Sequence, residues 1–215
     1  MKTALAAAAL LLASTSAHAL VADGITYTLV ENSITNGGKT ASFTLTITGE
    51  NTASDTEGGR TGINAIAFNQ PAPGTVTTGV MTSPAGYTFA LGGLNSSGCN
   101  TTGNFYCFDN TAIPNTGGPF PGSLLSGPLS FDFNVTADTA GVWAGYKTAL
   151  KIDWVGTQNN YDLVSLPIAV TPGSDCPDCT PTPTGTGVPE PSSLALLGSA
   201  LLGTGLIVQR RRRQW

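Results

Sequence analysis

Strict alternation of apolar and polar residues recurs along this chain, and it restricts the middle of the sequence to β-strands. In Thr40–Thr48, Phe43, Leu45 and Ile47 alternate with Ser42, Thr44, Thr46 and Thr48. In Leu129–Val135, Leu129, Phe131, Phe133 and Val135 alternate with Ser130, Asp132 and Asn134. In Tyr146–Val155, Tyr146, Leu150, Ile152 and Trp154 share one face, with Lys147, Lys151 and Asp153 opposite. A period of two puts one set of side chains in a core and the other in solvent, as in a half-buried antiparallel strand. Further strands are expected over Ile25–Val30, Ile63–Phe68, Thr75–Val80, Tyr87–Leu91, Phe105–Phe108 and Leu163–Val170.

The breaks between these runs are turn chemistry: Asn36-Gly37-Gly38, Glu57-Gly58-Gly59, Pro71-Ala72-Pro73-Gly74 and Asn115-Thr116-Gly117-Gly118. With 27 Gly and 14 Pro in 215 residues, long helices cannot dominate. The expected fold class is all-β, an antiparallel β-sandwich of about eight or nine strands over residues 20–170. Asn110–Gly127 reads as a long Gly/Pro loop.

The two ends differ from this middle. Residues 1–19 begin with Lys2, continue through the apolar run Ala4–Ala13 and end in Ala17-His18-Ala19. That order is a helical secretory signal peptide, with Ala17 and Ala19 as the small residues of the cleavage site and signal peptidase as the enzyme. At the other end, Pro189-Glu190-Pro191 precedes an apolar run, and Arg210, Arg211, Arg212 and Arg213 follow it. Residues 193–208 would make a helix of about 24 Å, short for a bilayer core but extended by its flanks. The arginines place the C-terminus inside and the middle outside.

The Pro-Glu-Pro tripeptide, the Gly-containing apolar helix and the terminal basic cluster resemble the PEP-CTERM sorting domain, a tail also labelled after ice-binding proteins. The resemblance covers residues 188–213, within a C-terminal segment of residues 188–215. It implies export in a Gram-negative bacterium, transient membrane anchoring, and processing near Pro189-Glu190-Pro191 by an exosortase-type enzyme. It also implies a place at the cell surface or in an exopolysaccharide matrix. Residues 171–187, rich in Pro, Thr and Gly, read as an extended spacer between the β-domain and this tail.

Charge and cysteines narrow the function. Residues 20–187 hold four bases (Lys39, Arg60, Lys147, Lys151) against twelve acids, which excludes an electrostatic footprint for nucleic acid. Four cysteines allow three pairings, and proximity favours Cys99 with Cys107 and Cys176 with Cys179, formed after export. Cys176-Pro177-Asp178-Cys179 sits among prolines, which suits neither a zinc site nor a thioredoxin-like helix start.

Catalytic equipment is sparse. Cleavage after Ala19 removes His18, the one histidine, and with it Ser-His-Asp, Cys-His and His-metal chemistry. A carboxylate pair could hydrolyse glycosides, the candidates being Asp55 with Glu57 and Asp153 with Asp162, all read as solvated turn or surface charges. Calcium is the better use of loop carboxylates, but no EF-hand series occurs and no cofactor is expected. Trp154 is assigned to the core, and Trp143, in the turn Gly141–Gly145, is the candidate exposed ring for stacking on a glycan. Thr44, Thr46 and Thr48 form one outward row. A flat Thr array can order water, but neighbouring strands show no matching row. The expected function is a non-catalytic surface or matrix protein, structural or adhesive in exopolysaccharide. The alternatives are a carbohydrate-binding module and, behind it, a carboxylate-dependent hydrolase.

Overall fold

A computed structural model describes residues 19–95, 98–100, 102–112, 127–156, 165–174, 176 and 179. The chain divides into two units, 1–180 and 181–215. The second unit lies outside the described residues, as does residues 1–18. The expected signal peptide, the helix over 193–208 and the sorting residues therefore fall on segments for which no structure is described.

The described residues are all-β. Their strands are β1 (Leu20–Ala22), β2 (Ile25–Thr35), β3 (Thr40–Thr48), β4 (Gly62–Asn69), β5 (Val76–Ser83) and β6 (Thr88–Leu91). They continue with β7 (Leu94–Asn95), β8 (Gly98–Cys99), β9 (Phe105–Asp109), β10 (Leu129–Ala137), β11 (Lys147–Val155) and β12 (Leu166–Pro172). One 3-10 turn, Asn36–Gly38, joins β2 to β3. Every expected strand is present, Thr40–Thr48 with both its ends and the others with shifted ends, and β1, β7 and β8 are additional.

Where two sheets of a sandwich were expected, the hydrogen-bonded path is one mixed ten-stranded sheet, ordered β5-β10-β3-β2-β12-β11-β4-β9-β6 with β1 on β2. The reason lies in β12. Its first half, Leu166–Ala169, pairs antiparallel with β11, and its second half, Val170–Pro172, pairs parallel with β2. One strand thus joins two groups that would otherwise be separate layers. The terminal strands of the path, β5 and β6, follow each other in the chain, so the sheet nearly closes into a barrel. Gly79 in β5 makes that approach close. A Cβ there would stand 2.5 Å from the Phe89 ring of β6.

The inward faces meet in one aromatic core. Phe133 of β10 stacks on Phe43 of β3 at 5.5 Å, on Phe68 of β4 at 5.1 Å and against Phe108 of β9 at 5.2 Å. β4 and β9 are not hydrogen-bonded neighbours of β10, so these contacts cross the interior. Trp143 is a correction. It sits in the expected turn, yet its ring is fully buried, 5.6 Å from Phe43 and 5.2 Å from Tyr146. Its Nε1–H donates to the Lys39 carbonyl at 2.7 Å. The turn folds over the open end of the core, and the indole is its plug. No exposed ring is available there for a sugar. Trp154 is buried in the core, as expected.

The outward face of β2, β3, β10 and β5 brings a second correction. Register aligns Thr35, Thr40, Thr136 and Thr78 in one cross-strand row, and Thr28, Thr46 and Ser130 in another. Between them lie Val30, Thr44, Asp132 and Ser83, then Ser33, Ser42, Asn134 and Val80. The single Thr row of β3 thus has matching partners on its neighbours. They are dispersed in sequence because antiparallel pairing reverses their order. Side-chain bonds tie the rows, with Thr40 and Thr136 hydroxyls 3.0 Å apart and Thr44 Oγ1 donating to Asp132 Oδ1 at 2.6 Å.

Phe133→Ala is expected to destabilise the fold by about 3–5 kcal/mol, because it leaves a cavity touching three strands at once. Urea unfolding of the variant against the wild type measures it. A loss no larger than that of a surface substitution would contradict the interior described here.

Candidate functional site: buried acids under a disulfide-tied hairpin

The outer face of β4, β9 and β11 is covered. Ala65, Ala67, Cys107 and Leu94 form a small apolar cluster against Cys99 and Phe105. The short pair β7–β8 lies over it, and the disulfide Cys99–Cys107 ties β8 to β9 with Cα atoms 5.9 Å apart. Cys176 and Cys179 are joined as well, with Cα atoms 5.2 Å apart. Both proximity pairings are therefore present.

Beneath the hairpin lies Asp153, 1% exposed, where sequence reading placed a surface charge. Its strand alternates as expected, but β7–β8 covers the face that alternation assigned to solvent. Asp153 and Asp109 are both register partners of Ala65, one on each side. A β-bulge between Asp153 and Trp154 leaves Asn64 as the extra residue of β4. Asn64 Nδ2 donates to Asp153 Oδ2 at 3.0 Å. Burial pushes the Asp153 carboxyl up to about 6; the Asn64 bond opposes this and the nearby Asp109 charge adds to it. Asp109 is also raised by burial, against the N–H of Cys99, which donates to it. Asp162, paired with Asp153 in the sequence reading, lies outside the described residues.

Asp55 and Glu57 do not form a hydrolytic pair. The Asp55 side chain is buried and its oxygens order the loop between β3 and β4. Oδ1 accepts from the N–H groups of Glu57 and Gly58, at 3.1 and 3.0 Å. Oδ2 accepts from the N–H of Asn51 at 2.8 Å and from Nε of Arg60 at 3.1 Å. Burial raises this carboxyl, but the bonds from Gly58, Asn51 and Arg60 outweigh it and hold it below its ordinary range. The Arg60 guanidinium also lies 4.6 Å from the centroid of the Trp154 ring. Among the described residues no group of three His, Cys, Asp or Glu side chains is arranged to hold a metal ion.

Sequence reading missed Glu31. The parity of Ile25, Tyr27 and Leu29 continues to it, and β2 runs past Val30, so its carboxyl enters the core near Tyr106. Burial pushes it up to about 7. An unfolded glutamate titrates near 4.3. The folded protein therefore keeps a proton that the unfolded chain has released between these values. Glu31's contribution is full below about pH 4.3 and is lost as pH rises through about 7. Glu31→Gln is expected to flatten the fall in melting temperature between pH 5 and 8. Identical pH profiles for variant and wild type would contradict it.

Residues 187–213 match the family model of the PEP-CTERM protein-sorting motif. They include Pro189, Glu190, Pro191 and Arg210 to Arg213. The motif marks an exported, surface-sorted chain with a membrane-associated tail that an exosortase processes. No curated protein matches the chain. Among solved structures, it is similar to the crystal structure of ACE19, the collagen binding subdomain of the Enterococcus faecalis surface protein ACE. The TM-score is 0.33 and the identity 10%, over 68% of this chain and 94% of that one.

Proposed function

We propose that this chain, sorted by its PEP-CTERM motif, is a non-catalytic surface protein with a structural or adhesive role in exopolysaccharide. The match over residues 187–213 is the observation that carries the reading. On this reading signal peptidase cuts after Ala19, residues 193–208 anchor the chain transiently, and residues 171–187 hold the β-domain off the membrane. An exosortase then cuts near Pro189-Glu190-Pro191, in a Gram-negative cell that makes exopolysaccharide.

The outward face of β2, β3, β5 and β10 supports the adhesive part. It presents hydroxyl and amide groups in rows, interrupted by Val30 and Val80, with Asp132 as its one charged side chain. Such groups both donate and accept hydrogen bonds, as sugar hydroxyls do. The earlier candidate contact, Trp143, plays no part in it.

Fractionation of the producing cells tests this. Replacing Pro189, Glu190 and Pro191 by alanine is expected to leave an unprocessed precursor in the membrane fraction. The wild type is expected to move to the surface and to cosediment with isolated exopolysaccharide. A triple variant processed and released like wild type would overturn the sorting reading. Wild-type protein that reaches the surface but stays apart from exopolysaccharide would overturn the matrix role alone.

A further inference from the structure

The face beneath β7–β8 holds Asp153 and Asp109, and among the described residues neither carboxylate is in a salt bridge. Asn64 and Asp153 are each 1% exposed. The bond from Asn64 Nδ2 uses Asp153 Oδ2. It leaves Asn64 Oδ1 and Asp153 Oδ1, both buried, without a hydrogen-bond donor among the described residues. Asp109 stands across Ala65 from Asp153, the two acids being the register partners of that alanine on either side.

Lys151 is the ammonium on the same strand face, and it points elsewhere. Its Nζ lies 4.1 Å from the centroid of the Phe105 ring. Phe105 pairs with Asn69, at the opposite end of the β4–β9 ladder from the Ala65–Asp109 pair. Overhead, Gly98 has φ +90°, and a Cβ on it would meet both carboxylate oxygens of Asp109 at 3.0 Å. Buried carboxylates are stable only when paired, hydrogen-bonded or bound to a metal.

We propose that Asp153, Asp109 and the Oδ1 of Asn64 hold a divalent cation of the calcium type beneath the β7–β8 hairpin. All three donors are oxygens, which select a hard cation, and two carboxylates balance its charge. Calcium takes six to eight oxygens, so main-chain carbonyls and water complete the shell. The ion supplies the partner that Asn64 Oδ1 and Asp153 Oδ1 otherwise lack. It also ties β4, β9 and β11 of the large sheet to one another beneath the Cys99–Cys107 disulfide. This inference stands apart from the matrix role, because it concerns a covered face and not the hydroxyl rows.

The test uses the exported protein stripped with EDTA, then titrated with calcium chloride and separately with magnesium chloride. Thermal melting and terbium luminescence are the readouts. Calcium at a hundredfold excess over Kd is expected to raise the melting temperature by roughly 5–10 °C. Asp153→Asn and Asp109→Asn are expected to weaken binding roughly tenfold or more. Asp132→Asn, on the other face, leaves binding unchanged. Each amide keeps the shape of the acid, and circular dichroism separates lost binding from lost fold. If Asp153→Asn does not fold, Asp109→Asn decides alone. Melting unmoved by about 10 mM of either cation, above the weakest extracellular calcium modules, overturns the proposal. Binding that survives both site variants overturns it too. So does a wild type that ignores cations but loses stability with rising pH while Asp153→Asn does not, since Asp153 is then a neutral acid and no ligand.

Discussion

The strands of the large sheet all turn an apolar face to the same interior, and Phe133 is where those faces meet. Its ring touches β3, its hydrogen-bonded neighbour, and also β4 and β9, which lie far along the sheet path. Those contacts require the sheet to curl back on itself. The curl needs a joint and a close approach. β12 is the joint, because it changes partner midway from β11 to β2. Gly79 permits the approach, because its bare backbone lets the Phe89 ring pack on β5. Hydrogen bonding alone would allow a flatter sheet. Burial of about a dozen large side chains selects the curled one.

The two ends of the sheet path then meet different fates on their outer sides. On β2, β3, β5 and β10 the outer side is mostly polar, with Val30 and Val80 among the hydroxyls, and hydroxyls bond across strands. On β4, β9 and β11 it is sealed by four residues of β7 and β8 and a disulfide. Alanines at 65 and 67 make that seal possible, since larger side chains would hold the hairpin away. The same seal changes the chemistry of Asp153. In water it would be an ordinary carboxylate; under the hairpin it loses solvent and gains a like charge across Ala65. The unusual electrostatics of the molecule follow from where a short hairpin happens to lie.

Much of the fold was legible because long strands advertise themselves. Thr40–Thr48 appears with both ends where alternation put them. What failed was knowledge of the other side of each strand. Alternation says that Asp153 and Trp154 face opposite ways, which they do. It does not say that two two-residue strands, Leu94–Asn95 and Gly98–Cys99, cover the acid from well upstream in the chain. Strands as short as β7 and β8 carry no periodicity, so neither they nor what they bury could be seen. Trp143 failed for a related reason, as a turn residue is solvated unless the turn caps a core. The Thr rows failed because register is a property of pairs, and one strand read alone shows only its own row. Glu31, by contrast, was readable, since it extends the inward parity of β2 by one step.

Sorting and binding place separate demands on the chain. The sorting motif holds its tripeptide, its apolar run and its arginines within residues 187–213. None of these residues lies in the β-domain. What the body does at the surface must then come from its own faces. Several of its acids are withdrawn, with Asp55 spent on a loop, Glu31 in the core and Asp153 under the hairpin. The broad outward face keeps a single charge, Asp132, and that carboxylate already accepts from Thr44. Long-range attraction is therefore weak there, and recognition has to rest on short-range, directional hydrogen bonds. Such bonds gain strength only when many form at once, which rows of hydroxyls on a stiff sheet provide and isolated loops do not. On the matrix reading, the rigidity of the curled sheet is thus itself the binding property, because it fixes the spacing at which a repeating hydroxyl-rich partner is met.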